Sequence, residues 1–214
     1  PSNWNQVCSG SMVVGALALA DVQRHSDLAT RVYSGAMQAL PISSNFYYPH
    51  GVWWEGDMYT GYAAKYFTSA LAALESATGS DQGLSLDNGF NETGRWIRNS
   101  IGPSGEFFNW ADCEITPANV AASNFMFMGT RFQSPLYSYL GRRLLNRTTV
   151  DTWGSLAFAL LHWSDLGSFE ADLVPLPTNV LYQERYVGIL REKWTPIRYD
   201  GDGAASPNTG FVAF

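Results

Sequence analysis

Charge is scarce in this chain. Asp, Glu, Lys and Arg make up only 15% of its 214 residues, and Lys65 and Lys193 are the only lysines. The 13 basic residues face 19 acidic ones, a net charge of −6. A nucleic-acid binder carries a basic excess, so that partner class is not expected. Long apolar runs are missing too. The small and apolar stretch over 7–20 falls short of the ~20 residues a spanning helix needs, so no membrane partner is expected. Cysteine occurs only as Cys8 and Cys113. One disulfide or two free thiols both fit that count. With no CxxC pair and no Cys/His cluster, no metal site is read. The chain starts at Pro1, with no Met and no signal peptide, as a mature or trimmed segment would.

Aromatic residues are plentiful: 8 Trp, 11 Tyr and 12 Phe within an apolar share of 46%. That share buries a sizeable core and excludes a disordered chain. Aromatic faces fill cores, and they also stack on flat, partly apolar ligands such as sugars. Two glycosylation acceptor triplets begin at Asn91 and Asn146. With the low lysine count they point to a secreted, extracellular glycoprotein.

Apolar periodicity predicts a helix over 7–20, small on several faces and therefore packed between others. A second helix follows over 26–40, capped by Ser26 or Asp27 and stopped by Pro41. Residues 42–57 read as a long aromatic loop, of the kind that carries function. The clearest helix covers 59–78, with Tyr62, Tyr66, Ala70 and Leu74 on one face and Gly79 ending it. Shorter helices are expected over 94–100, 118–131, 135–145 and 150–163, with Pro135 in a first turn. A second aromatic loop lies over 107–113. The segment 165–179 reads as a linker, 187–191 as a strand, and 200–214 as a tail with little to hold it. Paired helices of similar length suggest a mainly α helical array or toroid, with a short β segment at the C-terminus.

Three stretches concentrate the chemistry: Asn3-Trp4-Asn5-Gln6-Val7-Cys8, then Trp53-Trp54-Glu55-Gly56-Asp57-Met58-Tyr59-Thr60-Gly61-Tyr62, then Gly102-Pro103-Ser104-Gly105 with Phe108-Asn109-Trp110-Ala111-Asp112. In order and spacing, over roughly 2–163, they resemble the heparinase II/III-like polysaccharide lyases. The later run Val187-Gly188-Ile189-Leu190-Arg191 resembles the first strand of that family's β-sandwich. The resemblance implies an incomplete (α/α) toroid over 1–164, a linker over 165–179, and the start of a β-sandwich over 180–214 that this chain does not complete.

It also implies β-elimination on a uronic-acid-containing polysaccharide. The proton on C5 of the uronate is removed and the bond to the O4-linked sugar breaks. Neutral donors must stabilise the charge that builds on the carboxylate, and a tyrosine can supply the leaving oxygen with a proton. Carried over, Tyr59 stands at the family's catalytic tyrosine and Asn3 at its carboxylate-neutralising position. Asn5, Trp4, Trp54, Glu55, Tyr62, Asn109 and Trp110 are candidate substrate contacts.

Blander readings stand beside these. Tyr59 also suits an aromatic filling the toroid, Asn3 a helix cap, and Glu55 an anchor for its loop. The aromatic candidates suit the core. His50, where the family has an acid, is read as a loop residue, with a catalytic role as the lesser alternative. Asp57 replaces a proline and Thr60 a tryptophan. Asn208 is not followed by the family's histidines, so its second catalytic base and its metal do not transfer, and no cofactor is expected of this chain. The scattered arginines and acidic total favour a lightly charged uronan, alginate- or glucuronan-like, over heparin. Two alternatives remain: a non-catalytic glycan-binding remnant of the same fold, and an (α/α) glycoside hydrolase using Glu55 and Asp57 as its carboxylate pair.

Overall fold

The computed structural model describes residues 2–86, 89–102, 106–114, 122–145, 155–166, 177–191 and 211–213. Its frame is helical. Helix α1 spans Asn3–Leu19, α2 Ser26–Ser44, α3 Asp57–Thr78 and α4 Thr93–Ser100. Helix α5 spans Ala122–Arg131, α6 Pro135–Leu145 and α7 Ser155–Leu161. Helix α1 packs on α2 and α3, while α5 packs on α6, α7 and α3.

The buried stripe of α1 is Asn3, Gln6, Ser9, Gly10, Val13 and Ala16, a helical spacing built from small and polar residues. Gly10 has a steric reason. A Cβ there would lie 2.8 Å from the carbonyl oxygen of Tyr66, so only glycine lets α1 approach α3 this closely. Helix α3 buries Ala63, Ala64, Phe67, Ala70, Leu71 and Leu74. Gly79 ends it in the left-handed conformation (φ 77°), with its N–H on the Glu75 carbonyl at 2.9 Å. Around Phe67 sits an aromatic knot. The Phe90 ring lies 4.9 Å from both Tyr47 and Phe67, and Trp53 lies 5.0 Å from Tyr47.

Three expectations need correction. Helix α2 does not stop at Pro41 but runs through it to Ser44. Proline forfeits one ladder bond there, yet the last turn is held from outside: Leu40, Ser43 and Ser44 are buried, and the Ser43 hydroxyl donates to Asn5 Oδ1 at 2.7 Å. The aromatic loop is accordingly shorter than 42–57. On α3, Tyr62 does not belong to the core face. It is 37% exposed and shares a neighbouring stripe with Tyr59 and Tyr66, because Phe67 and Leu71 claim the buried side. Finally, the tail is not wholly unheld, since Phe211–Ala213 form a strand.

That strand, β3, completes an antiparallel sheet in the order β1-β2-β3, where β1 is Asn179–Tyr182 and β2 is Val187–Arg191. Tyr182 pairs with Val187, and Leu190 with Val212. The sheet shares the helical core through Tyr182, Val187 and Ile189. Asn99 Nδ2 donates to the Tyr182 hydroxyl at 2.8 Å, and the Arg191 guanidinium donates to the carbonyls of Asn99 and Ile101. From the hairpin, Arg185 reaches the carbonyls of Phe46 and Val52. The linker reading over 165–179 and the acceptor Asn146 fall largely or wholly outside the described residues.

Phe67 is fully buried at the centre of the knot. Phe67→Ala is expected to lower the unfolding free energy by about 3–5 kcal/mol, measured by urea denaturation.

Candidate functional site

The site is assembled where the amino ends of α1 and α3 meet the 106–114 loop. Helix α1 begins without a side-chain cap from Ser2, leaving its first N–H groups in need of partners. Glu55 supplies one. Its Oε2 accepts from the backbone N–H of Asn3 at 2.7 Å, from Asn3 Nδ2 at 3.1 Å and from Trp53 Nε1 at 2.9 Å. A carboxylate at a helix amino end also sits favourably in the helix dipole. Glu55 thus ties the start of α1 to its own loop. Asn3 is the first residue of the helix rather than its cap, it is only 4% exposed, and its amide is turned towards Glu55.

Two residues beyond Glu55, Asp57 opens α3 and is fully buried. Its carboxylate accepts from the Ser100 hydroxyl at 2.6 Å and from Trp110 Nε1 at 3.4 Å. Burial outweighs those bonds and pushes its pKa up to about 7. Gly56 precedes it at φ 91°. A side chain there would meet the Trp110 carbonyl at 2.9 Å and the Cys113 Cβ at 3.0 Å. That close approach seats the 106–114 loop on the start of α3, where Met58 N–H points to Cys113 Sγ at 3.1 Å. Cys8 and Cys113 are both free thiols.

Tyr59 is half-buried in the first turn of α3 and donates its hydroxyl to Asp112 Oδ2 at 3.2 Å. That hydrogen bond raises its pKa, and the negative charges of Asp112 and Glu55 raise it further. The phenol is thus held neutral, and Glu55, the residue that grips Asn3, lies within electrostatic reach of it. Tyr62 and Tyr66 continue the row, with ring centroids 6.4 Å from Tyr59 to Tyr62 and 5.3 Å from Tyr62 to Tyr66. The hydrogen bond shared by the Tyr62 and Tyr66 hydroxyls raises the Tyr62 pKa as well.

The remaining candidates scatter around this centre. Trp4 is 63% and Trp54 42% exposed, each beside a residue of the Glu55 cluster. Asn5 is tied to α2 through Ser43. Asn109 is exposed, whereas Trp110 turns inward, with its ring 5.9 Å from Trp96. His50 pairs with Glu184 at 2.8 Å, clipping its loop to the β1–β2 hairpin. Asn91 is half-buried, its amide on Glu92 and its carbonyl accepting from the Tyr137 hydroxyl. Among the described residues no group of three His, Cys, Asp or Glu is placed to hold a metal.

Sequence reasoning passed over Asp112 and Trp53 as site residues and offered Asp57 only as half of a hydrolase pair. Asp112 was on view as the acid closing the Phe108–Asp112 stretch, but nothing local paired it with Tyr59. The chain matches no protein-family model and no curated protein.

The buried acid has a thermodynamic consequence. A carboxyl group whose folded pKa is about 7, against an ordinary 3.8, binds its proton more readily in the folded state. Its ionisation therefore destabilises the fold progressively as pH rises through that window, and the loss is complete above it. Asp57→Asn is expected to flatten the fall in thermal midpoint between pH 5 and pH 8. An unchanged slope in the variant would assign that fall to other groups.

Proposed function

We propose that this chain is the helical catalytic part of a secreted polysaccharide lyase that cleaves a lightly charged uronan by β-elimination. In this reading the helices belong to an incomplete (α/α) toroid and the C-terminal strands begin a β-sandwich. The observation that carries the proposal is the Tyr59–Asp112 hydrogen bond at 3.2 Å, set beside the Glu55–Asn3 cluster. It rests also on the three sequence stretches that resemble the heparinase II/III-like family.

The pair answers a difficulty in the chemistry. A phenolate at Tyr59 is disfavoured next to Asp112 and Glu55, so tyrosine cannot serve as a preformed base. It can act as a proton carrier. The Tyr59 oxygen takes the C5 proton as its own proton passes to Asp112. The C5–H electrons become the C4–C5 double bond, and the C4–O4 bond breaks. Tyr59 then gives its proton to the departing O4 and recovers one from Asp112. The net result moves one proton from C5 to O4 and leaves an unsaturated uronate. Trp4 and Trp54, exposed next to Asn3 and Glu55 in the chain, offer surfaces on which sugar rings stack.

A second reading is a non-catalytic glycan-binding protein of the same fold. The burial of Asn3 and the commitment of its amide to Glu55 favour it, because a carboxylate-neutralising donor must face the substrate. The hydrolase pairing of Glu55 with Asp57 has less support. Glu55 serves the start of α1, and Asp57 has no exposed surface from which to reach a sugar.

Incubation with alginate, glucuronan and heparin, read by ultraviolet absorbance of the unsaturated product, tests the proposal. Tyr59→Phe is expected to lower the rate by about 10²–10⁴-fold while leaving the fold intact. Full activity in that variant would remove Tyr59 from its role. Binding of the same polymers without product would decide for the second reading.

A further inference from the structure

From Tyr59 a row of tyrosines runs along α3. Tyr62 and Tyr66 follow it at three and seven positions, so the three side chains share one helix face. Tyr59 and Tyr66 are half-buried, and Tyr62 is 37% exposed. Each ring packs edge-to-face on the next, at interplanar angles of 82° and 74°. The Tyr62 and Tyr66 hydroxyls lie 3.5 Å apart. Such packing orders the rings in advance, so a ligand laid on them costs little side-chain freedom. Large aromatics left in a row at the surface mark a place where something docks.

Three features say what docks. The first is continuity. The row begins at Tyr59, and a polymer engaged there extends beyond it. At the rise of an α-helix, Tyr59 to Tyr66 covers about 10 Å, roughly two linked pyranoses. The second is charge. The chain carries a net −6, yet residues 3–19 of α1 hold no charged side chain and residues 58–74 of α3 hold only Lys65. Lys65 lies within electrostatic reach of the Tyr62 hydroxyl. The two acids at the Tyr59 end are engaged, Glu55 by Asn3 and Trp53 and Asp112 by Tyr59 itself. A strip without acids and with one ammonium group suits an anionic partner. The third is the mixed chemistry of a phenol. Its face takes the C–H side of a sugar ring and its hydroxyl meets the sugar's own hydroxyls. A purely apolar partner would strip water from three hydroxyls and return nothing.

We propose that this row is a track for the polymer: the sugars next to the cleaved bond lie along α3, stacked on Tyr62 and Tyr66, with a uronate carboxylate on Lys65. The track rests on the reading of Tyr59 as the residue that acts on a uronan. It adds the course of the chain across the surface and makes binding depend on oligosaccharide length.

The test uses the full chain carrying Tyr59→Phe, which leaves oligosaccharides essentially uncut, titrated by calorimetry with a saturated glucuronate disaccharide and hexasaccharide. The hexasaccharide is expected to bind about 5-fold more tightly than the disaccharide. Adding Tyr66→Ala is expected to remove most of that difference, whereas Tyr66→Phe, which keeps the ring, retains most of it. Lys65→Gln is a surface change that leaves the fold intact. It is expected to weaken the hexasaccharide about 3-fold at low salt and to make no difference once salt screens the charge. Equal affinity for the two lengths would overturn the track, whether or not the unsubstituted chain releases unsaturated product from glucuronan. So would hexasaccharide binding that neither Tyr66→Ala nor Lys65→Gln alters. Length-dependent binding without any product would uphold the track and count against cleavage instead. A chain that dimerises, turns monomeric with Tyr66→Ala and ignores both oligosaccharides would give the row to a second copy and overturn the proposal.

Discussion

One carboxylate oxygen sets the geometry on which the rest depends. Glu55 Oε2 gathers three N–H donors, two from Asn3 and one from Trp53. It thereby fastens the otherwise uncapped start of α1 to the segment leading into α3. A helix amino end presents unpaired donors and partial positive charge, so an acid brought there from elsewhere in the chain satisfies both at once. Gly10 then lets the two helices close to backbone contact, which keeps the tyrosine row of α3 beside α1.

A second acid repeats the device at a cost. Asp57 sits at the start of α3, but fully buried, and it holds Ser100 of α4 and Trp110 of the following loop. Burial disfavours its charged form strongly enough to bring its pKa to about 7. What the cost secures is position. With Trp110 drawn in and Gly56 leaving room, the 106–114 loop presents Asp112 to Tyr59.

The sheet is part of this arrangement. Its inner residues join the helical core, and Arg185 and Arg191 reach across to backbone carbonyls of the helical part. Guanidinium groups suit this work because several donors in a fixed fork satisfy carbonyls left unpaired at loop and helix ends. His50 and Glu184 add a surface clip between the same two parts.

Local rules settled much of the framework before any contact was known. Pro135 at a helix start, Gly79 just beyond a helix end and the apolar repeat between 59 and 78 each act within a few residues, and those helices lie where the pattern puts them. The strand at 187–191 was legible for the same reason. The extension of α2 through Pro41 was not, because its last turn is held by α1. Nor was the strand at 211–213, which exists only by pairing with β2. The roles of the polar residues were the least legible. Asn3 and Glu55 stand 52 positions apart, and Tyr59 and Asp112 stand 53 apart. Sequence determined which residues were available and which helices carry them. Only the tertiary structure decided that Asn3 turns to Glu55 and Tyr59 to Asp112, because a hydrogen bond is chosen by distance and direction in space, and neither is encoded within a single helix.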